Sequence, residues 1–172
     1  MDNRFTSLRE SPWTQRLCLA GVLGLALWPR LLAIQWGLPL KYAHIDESVV
    51  IHYSLRIVAG ALNPGFYDYP NFFLYLLAGS IRLGSLLHGL FGSGLEELLG
   101  AYIAGDAGFF TLSARGLTVA FALATVALTY SFGRRRAGGA VGFGAAVLLA
   151  VNALHVRHSH YGTIDVAAGF FT

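Results

Sequence analysis

The chain has 172 residues and a formal net charge of +3, with 12% charged and 55% hydrophobic side chains. Soluble domains carry about 25% charged residues and disordered chains are polar, so both classes are excluded. Cys18 is the only cysteine, which removes a disulfide framework, and the eleven Arg and one Lys mostly flank apolar runs rather than forming a nucleic-acid face. With a mean hydropathy of +0.58, the composition is that of an all-α polytopic membrane protein.

In chain order, Arg4, Arg9 and Arg16 make residues 1–16 a cytoplasmic N-terminus under the positive-inside rule. Residues 17–40 form the first transmembrane helix, interrupted by Arg30 and Gln35. No small-x-small cleavage site follows it, so it reads as a retained signal anchor. Residues 41–111 form an outer loop holding six of the nine acids: Asp46, Glu47, Asp68, Glu96, Glu97 and Asp106. Within the loop, Val50, Tyr53, Ile57, Val58 and Ala61 recur at helical spacing, which predicts a juxtamembrane helix over about 46–61. A second apolar stretch, 71–91, contains Arg82 and His88 and reads as an interfacial or re-entrant helix. Were it to cross, the Arg134-Arg135-Arg136 cluster would fall outside.

The second transmembrane helix is expected at 112–133, a cytoplasmic basic loop at 134–136 and a third transmembrane helix at 137–156. Gly138, Gly139, Gly142 and Gly144 there read as small-residue contacts between spans. An outer loop follows at 157–165. Residues 166–172 open a truncated further span, so the chain reads as an N-terminal fragment.

This topology gathers the polar motifs on one face. Asp46 and Glu47 follow the first span closely; Asp46 admits an N-cap reading, or that of a general base towards an acceptor hydroxyl. Asp68, Tyr69 and Pro70 form an aromatic turn suited to anchoring at the headgroups or to lining an acceptor or sugar pocket. Arg115, just inside a span, either snorkels or binds a lipid phosphate; Arg30 admits the same two readings. The His155–Asp165 stretch sets Arg157 and His158 near Tyr161 and Asp165, a cationic rim with one carboxylate. His155, His158 and His160 do not match a metal-ligand spacing.

The order of these motifs resembles the N-terminal part of C-type, polyprenyl-phosphate-dependent glycosyltransferases, most closely glycosyltransferase family 39 with its protein O-mannosyltransferases and aminoarabinose transferases. The matching features are Asp46-Glu47 after the first span, Tyr69-Pro70-Asn71, Arg115 opening a span, Gly133 to Arg136, and Arg157, Ser159, Tyr161, Thr163 and Asp165. Where many members have His-Pro-Pro or Glu-Lys-Pro-Pro this chain reads Asp68-Tyr69-Pro70-Asn71, without the second proline and the lysine, so no lysine role carries over. The resemblance implies a C-type fold with interfacial helices in its first outer loop. It also implies inverting transfer of a sugar from a polyprenyl-phosphate donor to a protein, lipid or glycan acceptor, outside a bacterial inner membrane. Asp46, Glu47 and Asp165 would be catalytic; Arg115, Arg157 and His158 would bind the donor phosphate; Asp68, Tyr69 and Tyr161 would shape the acceptor or sugar pocket. A divalent cation is the one candidate cofactor, with no metal ligands assigned and no nucleic-acid partner. The competing readings are a transporter or flippase of an anionic lipid-linked substrate, and a non-catalytic membrane subunit.

Overall fold

The computed structural model describes residues 11–92 and 94–172. Arg4 and Arg9, which carry much of the case for a cytoplasmic N-terminus, lie outside the described residues. Those residues form eight helices and no strand, with one isolated antiparallel bridge between Leu40 and Asp106.

Helix α1 (Pro12–Leu31) starts as its sequence dictates: Ser11 Oγ accepts from Thr14 N–H at 3.2 Å, and Pro12 fills the first turn. It stops at Leu31, nine residues short of the expected 17–40 span. Leu32 turns extended, and Ala33 (φ 60°) and Gly37 (φ 77°) carry the chain through turns up to Pro39. Helix α2 (Ile45–Val58) follows, starting one residue and ending three residues earlier than expected. Helix α3 (Asn71–Gly89) fills the 71–91 stretch. A further helix, α4 (Leu95–Ile103), occupies a part of the loop where none was expected; Glu96 and Glu97 suit the positive end of its dipole.

Helix α5 (Gly108–Ala137) runs about 45 Å at 1.5 Å per residue, overshooting the 112–133 span at both ends. Arg134, Arg135 and Arg136 are therefore its last turn, not a loop, where cations favour the negative end of the dipole. Gly138 alone, at φ 97°, reverses the chain into α6 (Gly139–Ala150). The expected third span breaks at Val151 and Asn152. Asn152 caps a new helix, α7 (Ala153–Ser159), by accepting from His155 N–H at 3.0 Å, and the axes of α6 and α7 meet at 57°. Helix α8 (Asp165–Phe171) ends the chain.

Helices α3 and α5 are long and apolar enough to cross a membrane, and α6 with α7 makes a third if the bent pair is one span. Helix α1 is 20 residues long but more polar, carrying Gln15, Arg16 and Arg30, and is not among them.

Helices α1, α5 and α6 form an antiparallel core. Val22 and Ala26 pack with Val126, Tyr130, Ala146 and Ala150. Tyr130 Oη donates to Gln15 O at one end, while Arg30 Nη1 donates to Ala150 O nearer the other. Small residues permit this approach. A Cβ on Gly142 would lie 2.6 Å from Tyr130 O, and one on Gly133 would lie 2.8 Å from Gly142 Cα. Gly144 meets nothing within 4 Å, so of the glycines expected at this contact Gly142 makes it, whereas Gly138 serves the turn.

A second core joins α2 and α3 to the first half of α5 through Ile51, Leu74, Leu77, Ile81, Phe110 and Ala114. Helix α3 runs against that half only: His88 meets Phe109 edge-on at 5.9 Å, and Phe72 shares a cavity with Phe121. His44, Glu47 and the 161–162 turn thus meet beside Arg115 in the first half of α5, away from Arg134–Arg136, while Pro70, His158 and Asp165 line cavities near its middle, at Phe121 and Thr125.

Candidate functional site

The site is organised by one ion pair. Adjacent residues on a helix diverge by about 100°, so the first turn of α2 sends Glu47 inward and leaves Asp46 exposed. Glu47 is 3% exposed and Arg115 fully buried. Arg115 Nε donates to Glu47 Oε1 at 2.7 Å and Nη2 donates to Oε2 at 2.8 Å, the two-pronged geometry that a planar guanidinium favours. Arg115 Nη1 donates to Ile34 O at 2.6 Å and Trp36 O at 2.8 Å, which fixes the turn after α1. Gly162 N–H completes Glu47 at 2.6 Å. A side chain on Gly162 would collide with Ala114 Cβ, so only glycine brings that amide so close.

This arrangement changes two expected roles. Arg115 neither snorkels nor faces a phosphate: Glu47 and two carbonyls hold its guanidinium. Glu47, expected as a catalytic carboxylate, is enclosed and held by three donors. Both lock the site together from beneath.

Asp46 looks the other way. It caps no helix; the N-cap position belongs to His44, which makes no capping bond from its side chain. The Tyr69 hydroxyl is pushed above its ordinary pKa by burial and then by the carboxylates of Asp46, Asp165 and Asp68. The carboxylates of Asp46, Asp165 and Asp68 thus all act on the Tyr69 hydroxyl, although Asp46 and Asp165 lie far apart in the sequence.

The 155–165 stretch supplies the remaining wall. Thr163 Oγ1 donates to Asp165 Oδ2 at 2.8 Å, and His158 Nδ1 lies 3.5 Å from the same oxygen. Tyr161 stacks on His44 at 4.3 Å between centroids. Arg157 is exposed on α7. His44 is a member that sequence reasoning missed, and its Nδ1 is buried without a hydrogen-bond partner. Its position two residues before Asp46 was the available signal. Gly162 was missed as well, and Thr163 entered only as part of the motif order.

Two cavities flank α8. One, about 250 Å³, is lined by Pro70, Phe72, Leu76, Phe121, Ala167 and Phe171 among other apolar groups. The other, about 340 Å³, has Asn152, His155, His158 and Asp165 at its polar part, with Leu149, Leu154, Val166 and Gly169. Among the described residues, no three His, Cys, Asp or Glu side chains are placed to hold a metal ion.

Arg30 is also fully buried. It donates to Ala26 O at 2.6 Å, Ala150 O at 3.0 Å, Ser159 Oγ at 3.2 Å and His155 Nδ1 at 2.6 Å. It is thus a structural tie between α1, α6 and α7, and neither Arg30 nor Arg115 borders the cavities beside α8. Compared with protein-family models, with curated proteins and with solved structures, the chain matches none.

Proposed function

We propose that the protein is a membrane glycosyltransferase that moves a sugar from a polyprenyl-phosphate donor to an acceptor hydroxyl at the outer face, inverting the anomeric centre. The single observation that carries this reading is the exposed Asp46 carboxylate, which with Asp165 and Asp68 raises the Tyr69 pKa and follows directly on the Glu47–Arg115 pair that ties α2 to α5. A carboxylate so placed is suited to general-base work, which contributes roughly 10²–10⁴-fold when geometry is right.

In this reading Asp46 takes the proton of the acceptor hydroxyl. The acceptor oxygen attacks the anomeric carbon opposite the phosphate, a new C–O glycosidic bond forms, and the bond from that carbon to the phosphate oxygen breaks. Polyprenyl phosphate leaves with the bonding electron pair. Asp165 orients sugar or acceptor hydroxyls. With Arg115 paired to Glu47, Arg157 offsets charge on the departing phosphate and the His158 ring serves it as a hydrogen-bond donor. Tyr69, Asp68 and Tyr161 bound the pocket, and the apolar cavity beside Pro70 and Phe121 suits an isoprenoid chain. The carrier, the bilayer and a protein, lipid or glycan acceptor are the partners, and a bacterial inner membrane is the proposed setting.

The test is sugar transfer from labelled polyprenyl-phosphate sugars in membranes containing the protein. Asp46→Asn is expected to abolish the labelled product while insertion and abundance stay normal. Undiminished transfer in that variant would overturn the proposal.

A further inference from the structure

Arg30 poses a problem that its hydrogen bonds do not solve. All four of its acceptors are neutral: two carbonyls, a hydroxyl and an imidazole nitrogen. They satisfy its donors but bring no opposite charge to it in an apolar bundle, where a cation is costly and makes its surroundings a candidate functional site. Arg115, equally buried, has Glu47; among the described residues no carboxylate touches Arg30.

The contact to His155 passes that charge outward. A guanidinium can only donate, so His155 Nδ1 must accept at 2.6 Å, and the neutral ring carries its proton on Nε2. The ring lines the 340 Å³ cleft between α5, α6, α7 and α8. Asn152 stands beside it: its Oδ1 is held by His155 N–H, which leaves the amide NH₂ as a donor at the same rim. His158 shares the rim, and Asp165 opposite is tempered by Thr163 and His158. Below the rim the walls turn apolar, through Leu149, Val166 and Gly169.

We propose that this cleft binds a phosphate ester carried on a lipid chain, with its oxygens on His155 Nε2, Asn152 Nδ2 and His158 and its chain against Leu149, Val166 and Gly169. Arg30 supplies the charge from behind without touching the ligand. The site borders the proposed transferase centre through Asp165 and His158, but it is argued from the packing of Arg30, His155 and Asn152 and does not require Asp46 or Tyr69 to act.

The experiment is binding measured by native mass spectrometry on the intact protein. The probes are phosphatidylglycerol, polyprenyl phosphate, inorganic phosphate and, as neutral-headgroup reference, phosphatidylcholine. The phosphate-bearing anionic probes are expected to bind more tightly than phosphatidylcholine. Preference for polyprenyl phosphate assigns the site to a carrier lipid, preference for phosphatidylglycerol assigns it to a bulk lipid, and equal binding of inorganic phosphate assigns it to the phosphate group alone. Asn152→Asp keeps the α7 cap but replaces the donor by a carboxylate, so it is expected to weaken binding at least about tenfold. His158→Gln is expected to weaken it a few-fold, and Arg135→Gln at the far end of α5 to leave it unchanged. No preference for the anionic probes, or unchanged affinity in both folded rim variants, would overturn the site.

Discussion

Glu47 and Arg115, 68 positions apart, meet through two parallel hydrogen bonds of 2.7 and 2.8 Å, and between them they satisfy three further backbone groups. Breaking one side of a buried pair leaves an uncompensated charge and costs about 3–5 kcal/mol. Arg115→Leu or Glu47→Leu should therefore lower the thermal midpoint in detergent far more than the paired substitution of both. If the double variant is as unstable as the sum of the two singles, the residues are not coupled.

Tyr69 offers a test of convergence. Its folded pKa is raised, so it binds its proton more tightly folded than unfolded. The associated stability is fully present below the unfolded value near 10 and is lost as pH rises through the folded value. Asp46→Asn and Asp165→Asn should each lower the Tyr69 pKa, read by ¹³C-tyrosine NMR. An unmoved resonance titration in both variants would show that the carboxylates do not meet there.

Close packing of α5 on α6 predicts a steep size dependence at one glycine. Gly142→Ala forces the helices apart at Tyr130 O and Arg134, and overpacking of this kind typically costs about 1–3 kcal/mol. Gly144→Ala, which meets nothing, should be neutral. Thermal unfolding of both variants checks the contrast; equal midpoints would contradict it.

The separation of the two ends of the bundle is measurable by cysteine labelling in a Cys18→Ser background. A membrane-impermeant reagent should reach cysteines at Asp46 and at His158 from one side and a cysteine at Arg135 from the other. Labelling of all three from one side would place the whole cluster on a single face and refute the arrangement.

What could be read beforehand follows from which signals are local. The apolar run ending in three arginines announced α5. The end of α1 was hidden because residues 32–40 are as apolar as the helix itself; what holds them as turns is the grip of Arg115 on Ile34 and Trp36, a tertiary fact. Asn152 inside an apolar run was the one local sign that α6 would break. Adjacency of Asp46 and Glu47 said that one would point inward and one outward, but which did so depended on Arg115 and Gly162, residues far along the chain. The charge of Arg30 was visible, its imidazole neighbour was not.

Because the amide of Gly162 is clamped to the Glu47 carboxylate while its α-carbon presses on Ala114, the turn entering α8 has no slack of its own. A shift of the turn that leads into α8 would therefore pull on the first turn of α2, which couples the entry of the helix bearing Asp165 to that of the helix bearing Asp46.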